Sequence, residues 1–185
     1  MISRDDAIKM LVDAGCVDNL MSHSLASEVV MLALAKKLKA DEQLWAMTGL
    51  IHDLDYHLIS GDMSRHGLLA AQMLEGKLPN DAIHAIKAHN AEMTGITPES
   101  QFDYALRCGE TVTGMISAAA LVRPSGIVGM EAKSVKKKMK DKAFAASVNR
   151  ANIKECEMIG LSLDEFLAIA ISSMASIAEQ LDLLK

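Results

Sequence analysis

Aromatic side chains are scarce in this chain, at 3% of 185 residues, and there are only three prolines. A β-sandwich draws on aromatic cross-strand pairs and frequent turns, so this supply argues against one. Half of the residues are hydrophobic. The core must therefore come from Leu, Ile, Val, Ala and the 13 methionines, which suit packed helices. Cysteine is as sparse: Cys16, Cys108 and Cys156 are odd in number, far apart and form no CxxC pair. That argues against a disulfide framework and a zinc knuckle and fits a reducing cytoplasm. Positive charge is short too, with a net charge of −5. A protein that neutralises many duplex phosphates is usually basic, so no specific nucleic acid is expected as a partner. No run approaches the roughly 20 apolar residues of a membrane span. The first residues lack the basic region and apolar run of a signal peptide. The expectation is a cytoplasmic protein that does not engage a membrane, with a homo-oligomer left open.

What is present is helical periodicity. Ser3-Arg4-Asp5-Asp6 reads as a variant capping box that opens a helix to about Asp13. Apolar residues recur at helical spacing from about Asn19 to Leu38, where Lys36, Lys37 and Lys39 close the end. Asp41 can cap a third helix to about Asp53, and Leu54 to Gly61 is irregular. Asp62 or Ser64 is expected to cap a fourth, ending at Gly76, and Leu78-Pro79-Asn80-Asp81 starts a fifth that reaches about Asn90. A long helix is predicted over Glu99 to Val122, stopped by Arg123-Pro124-Ser125-Gly126. One or two short helices follow, and a last one fills about Ser162 to Leu184. No segment sustains period-two alternation, so an all-α chain with little or no strand is expected. The methionine stripe (Met21, Met31, Met47, Met63, Met73) reads as core filling.

Six histidines are present: His23, His52, His57, His66, His84 and His89. A single histidine on a helix is usually a surface or hydrogen-bonded core residue. The pair His52-Asp53 is different, because it ends a helix inside the apolar frame Gly49-Leu50-Ile51-His52-Asp53-Leu54. Two adjacent ionisable groups there need partners to offset desolvation, and a divalent cation is an effective one. Imidazole and carboxylate ligate zinc, manganese and iron, and ligands from several helices can meet where those helices converge.

The series His23, then His52-Asp53, then His66 in Arg65-His66-Gly67, then His89 in Lys87-Ala88-His89-Asn90 resembles the HD superfamily of metal-dependent phosphohydrolases. The resemblance covers about Asn19 to Val122. It implies one HD-type helical bundle over residues 1–185, with a core of about 19–122 and a helical extension of about 123–185. It is closest in kind to the members with two metal sites, such as the small diadenosine-tetraphosphate-cleaving enzymes. By that resemblance His23, His52, Asp53 and an acid on a later helix would hold one metal. Asp53 would bridge to a second, bound also by His66 and His89. One or two divalent ions are implied, with Fe, Mn, Zn, Ni, Co and Mg all open. The family's last ligand is an Asp in an Ala-Asp context. Here the matching segment, Ala105-Leu106-Arg107-Cys108-Gly109-Glu110, offers Glu110. Asp103 is the other candidate, but it lies seven residues earlier, about 10 Å along the helix axis.

His84 lies five residues before His89, or about 140° around a helix, so the two cannot both point into one site. The resemblance gives the site to His89, so His84 is expected to face outward or pack against a neighbour. Asp55 and His57 sit in a loop that could rim the pocket and are read as solvent-exposed. Arg65 and Arg107 are candidate substrate contacts, since guanidinium forks grip phosphate oxygens. Arg123 and Arg150 could serve the same way. The stretch from Lys133 to Lys142 carries six lysines; it reads as a solvated face, or as a rim that attracts an anionic substrate. The implied function is hydrolysis of a phosphate ester or anhydride, most simply a nucleotide, by a metal-activated water. No Walker loop is present, so a nucleoside-triphosphate motor is not indicated. Two other readings stand beside it: a di-iron oxygenase on the same fold, and a non-catalytic binding protein with a degenerate site.

Overall fold

In the computed structural model, which describes residues 2–185, the chain forms ten α-helices and one 3-10 helix, and no strand is present among the described residues. They are α1 (Arg4–Asp13), α2 (Asp18–Leu38), α3 (Glu42–Ile51), α4 (Leu68–Leu74), α5 (Asn80–Ala88), α6 (Ala91–Thr94), α7 (Gln101–Leu121), α8 (Ala132–Met139), α9 (Arg150–Lys154) and α10 (Leu163–Ala175). The 3-10 helix, Glu155–Ile159, lies between α9 and α10. The two 21-residue helices, α2 and α7, pack against each other. Helix α3 lies against both, α5 against α7, and the C-terminal elements α8, α9, the 3-10 helix and α10 close over α7.

Close approach at the α2–α3 seam depends on Gly49. A Cβ there would stand 2.6 Å from the Ser27 carbonyl oxygen. Half of the aromatics lie in the interior: Trp45 of α3 stacks on Phe102 of α7 at 4.9 Å, and Phe166 of α10 is fully buried. Met31 and Met47 are buried and Met21 and Met73 pack against the core, as the methionine reading expects, but Met63 lines a pocket instead. All three cysteines are free and buried.

Several helix ends follow their signals. Ser3 accepts from Asp6 N–H, and Asp41 accepts from Leu44 N–H. A capping box that the sequence reading overlooked starts α7: Ser100 accepts from Asp103 N–H, while the Asp103 carboxylate takes the N–H groups of Glu99 and Ser100.

Two boundaries differ from expectation. Helix α4 begins at Leu68, not at Asp62 or Ser64, because Asp62 is used in a local turn to Ser64. Gly67 at φ 85° then starts the helix from a left-handed conformation. Helix α10 stops at Ala175 rather than Leu184. Ser173 and Ser176 turn their hydroxyls back onto the carbonyls of Ile169 and Ser173, a competition that weakens helices. The chain then folds back, and the Leu183 carbonyl accepts from Ile127 N–H.

Candidate metal centre

Each histidine of the cluster sits at or near an element end, where its backbone is positioned by a packed helix. His23 lies in α2, His52 caps the C-terminus of α3, and His89 caps the C-terminus of α5. His66 precedes α4, one residue before the left-handed Gly67. That glycine is confined: a Cβ would lie 2.7 Å from the Ile86 carbonyl oxygen and 3.1 Å from the His89 ring. The close approach lets the His66 turn rest on the end of α5.

All four rings meet around Asp53, which is nearly buried at 7% exposure. Its Oδ1 is 3.1 Å from His52 Nε2, 3.2 Å from His66 Nε2 and 3.5 Å from His89 Nε2. Its Oδ2 is 3.4 Å from His23 Nε2. The Nε2 atoms themselves approach in pairs, His23 to His52 at 3.2 Å and His66 to His89 at 3.0 Å.

The opposite ring nitrogens decide what those pairs can be. His52 Nδ1 lies 2.8 Å from the Gly49 carbonyl oxygen and His89 Nδ1 lies 2.6 Å from that of Ile86. A carbonyl only accepts, so both rings carry a proton on Nδ1. His66 Nδ1 donates likewise to Asp55 Oδ1 at 2.8 Å. The Thr113 hydroxyl donates to the Glu110 carbonyl, which leaves it to accept from His23 Nδ1 at 2.9 Å. In the neutral form of each ring Nε2 is thus the lone-pair nitrogen, and all four Nε2 atoms converge.

Two bare lone pairs at 3 Å repel. A proton on His66 relieves one pair: burial disfavours the charged ring, but the Asp53 and Asp55 carboxylates outweigh it and lift His66 to about 10. The other pair has no such relief. Burial lowers His23 and drives His52 down to about 3. Burial also works against the Asp53 carboxylate, yet the surrounding imidazoles hold it well below the usual carboxylate range. A cation held by each pair would satisfy its two nitrogens. His23, His52 and Asp53 form one compact donor group, and Asp53, His66 and His89 form a second, with Asp53 common to both. Neutral imidazoles with a shared carboxylate, each imidazole tied from behind to an acceptor, make a fitting donor set for divalent transition metals.

Glu110 stands outside both compact groups, with Oε2 3.8 Å from His23 Nε2. Its other oxygen accepts from the Thr111 hydroxyl. Burial, with Asp53 adding, pushes Glu110 up to about 8. Asp103, the other candidate, is taken up by the α7 capping box and by His84 Nδ1 at 3.0 Å, well away from the cluster. His84 packs against a neighbour, as read, and His57 is exposed, as read.

Three expectations are corrected. Asp55 is fully buried, not a solvent-exposed rim residue. Besides His66 it holds the N–H groups of Gly67 and Ala70, so one carboxylate orients a ring and caps α4 from a distance. Arg107 does not reach the pocket. Its guanidinium, 3% exposed, is enclosed by Glu92, Glu155, Asn152 and the carbonyls of Ala88 and His89. Arg65 is exposed and does not line the pocket either. No lysine of the 133–142 stretch lines it, so that stretch behaves as a solvated face: Lys136 pairs with Asp164 and Lys133 with Glu131.

The cluster opens into a pocket of about 510 Å³. Asp53, His23, His66 and His89 form its floor, and Tyr56, Asn90 and Glu92 form part of its wall. Ser147, Val148, Asn149 and Asn152 complete it from the C-terminal extension. Sequence reasoning missed this wall, because nothing local marks a loop one helix away as facing the cluster. The chain matches the family described as HD domain over residues 20–122, more than half of its length. No curated protein and no solved structure matches it.

Proposed function

The chain belongs to the HD domain family, and from that premise we propose that it is a metal-dependent phosphohydrolase acting on a phosphate ester or anhydride. The observation that carries this reading is the meeting of four outward-tied imidazoles, their Nε2 lone pairs inward, on one carboxylate. His23, His52 and Asp53 would hold one ion, and Asp53, His66 and His89 a second. Glu110, whose Oε2 lies 3.8 Å from His23 Nε2, would complete the first set. Bound divalent ions would supply an acidified water and offset charge on the transferred phosphoryl group.

The chain's own residues do the positioning. Gly49, Ile86, Asp55 and Thr113 fix each ring in one tautomer and one orientation. Arg107 holds the carbonyls of Ala88 and His89, and so the end of α5 that presents the His89 ring. Overall, the water oxygen joins phosphorus, the ester or anhydride P–O bond breaks, and the released oxygen takes the proton. Nucleotides are the first substrates to test.

The test is elemental analysis of protein purified without chelators, followed by a phosphatase screen with added Mn, Ni, Co, Mg and Fe. One or two metal ions per chain and metal-stimulated phosphate release are expected. Metal-free protein that binds none of these ions overturns the reading. So does bound iron whose absorbance responds to oxygen without any phosphate release, which would favour an oxygenase.

A further inference from the structure

A second cavity of about 710 Å³ adjoins the pocket at the cluster, the two sharing His23, Gly114 and Ser147 as lining. The second lobe runs along the small-residue face of α7, past Ser117, to Asn19, Ser22 and Asp182. Neither lobe is lined by a lysine or arginine among the described residues. Several cations nearby are already engaged, Lys185 at the Leu121 carbonyl among them, and Arg65 stands exposed beside His66 without lining either lobe. Arg107 is sealed behind Glu92 and Glu155. Arg150 donates to the carbonyls of Asp141, Phe144, Ala145 and Val148, bracing the loop that carries Ser147. Lys138 lies over the Phe144 ring at 4.4 Å.

What the lobes offer is neutral, apolar at Met63, Val148, Leu121, Leu181 and Leu183 and polar at others. Asn90 donates its amide N–H to the carbonyls of Met63 and His66, which leaves its Oδ1 as an acceptor. Asn149 and Asn152 accept through Oδ1 from Ala151 N–H and Arg107, which leaves their NH₂ groups as donors. The hydroxyl of Ser147 and those of Ser22 and Ser117 add groups of both kinds. The charged side chains beyond the compact donor groups are acids, Glu110 and Glu92 in one lobe and Asp182 in the other.

We propose that the substrate carries a single phosphoryl group esterified to an uncharged moiety rich in hydroxyl and amide groups, of sugar or nucleoside size. The proposal rests on the phosphohydrolase reading. One phosphoryl group at the cluster would be met by the bound cations. A second would lie among neutral groups beside Glu92 or Asp182, with no cation in the lining to offset it. The hydroxyls and amides of an uncharged moiety find partners in either lobe.

The experiment compares kcat/KM of the metal-loaded protein for a sugar monophosphate, a nucleoside 5′-monophosphate, the matching diphosphates and a dinucleoside polyphosphate. Monoesters are expected to lead by about tenfold or more, the effect of one uncompensated charge at this range. Ser147→Lys places a cation on the lip common to both lobes, at an exposed position outside the cluster. It should narrow the gap between diphosphate and monoester by about tenfold with metal content unchanged. Equal or better cleavage of diphosphates by the wild type overturns the proposal and leaves the phosphohydrolase reading standing. A Ser147→Lys protein with an unchanged ratio also overturns it, since charge would not then be what selects. Failure of a metal-loaded protein to cleave any of these compounds overturns both.

Discussion

Replacing Asp53 with alanine removes the one carboxylate that lies within 3.5 Å of all four imidazoles. Asp53→Ala should therefore lose bound metal and phosphate release together, whereas His84→Ala, whose ring serves the Asp103 cap, should keep both. Parallel elemental analysis and phosphate assays check this, and an active Asp53→Ala protein would rule out the cluster as the site. Asp55→Asn acts one step behind the donors. It removes a charged acceptor from His66 Nδ1, so metal affinity should fall by about 10–100-fold, as losses of such orienting partners do. A competition titration against a chelator of known affinity measures it. At Glu110 the expected effect is smaller than at Asp53, because its Oε2 stands 3.8 Å from His23 Nε2 and outside both compact groups. Glu110→Gln keeps volume and removes charge. Tighter or equal metal binding in that variant would place Glu110 outside the ligand set.

Among the elements, the turn that delivers His66 is the most exacting. Gly67 has φ 85° and its missing Cβ would stand 2.7 Å from the Ile86 carbonyl oxygen. Gly67→Ala should then cost about 1–3 kcal/mol from the backbone conformation alone, with more from the clash. The damage should reach the second donor group first, because the same Cβ would press on the His89 ring. Thermal unfolding gives the stability change, and metal stoichiometry shows whether one ion is lost before the other. The α7 start is a milder case. Ser100→Ala removes half of a capping box, for which about 1 kcal/mol is expected in a denaturant titration.

For the whole molecule, the family match ends at residue 122, but the packing does not. Ile153, Cys156, Phe166, Leu167, Ala170 and Met174 are fully buried and belong to the same hydrophobic cluster as α2 and α7. Removing residues 123–185 would expose that surface on both long helices. At about 25 cal/mol per Å² of apolar area, the loss of several whole side chains exceeds the usual margin of a domain's stability. The truncated chain is expected to lack a cooperative thermal transition and to be degraded early by limited proteolysis. A sharp transition at the wild-type temperature would contradict this packing argument.

The amino-acid sequence by itself determined the helical class, since apolar residues recur with a period near 3.6 and aromatics are too few for sheets. It also singled out His52-Asp53, because an ionisable doublet inside an apolar frame demands partners, while His23, His66 and His89 were set apart from the other histidines by the resemblance to the HD series. These are local properties, written in spacing. Only the tertiary structure decided what lies behind and around them. Asp55 looked like a loop residue facing water, and becomes a buried brace because α4 starts against it. Arg107 looked like a phosphate grip, and is instead enclosed because the 3-10 helix brings Glu155 across to it. Ser147 to Asn152 reach the pocket through a return of the chain that no local pattern encodes. Long-range contacts depend on how helices close over one another, and that is fixed by the whole set of buried faces rather than by any segment's own periodicity.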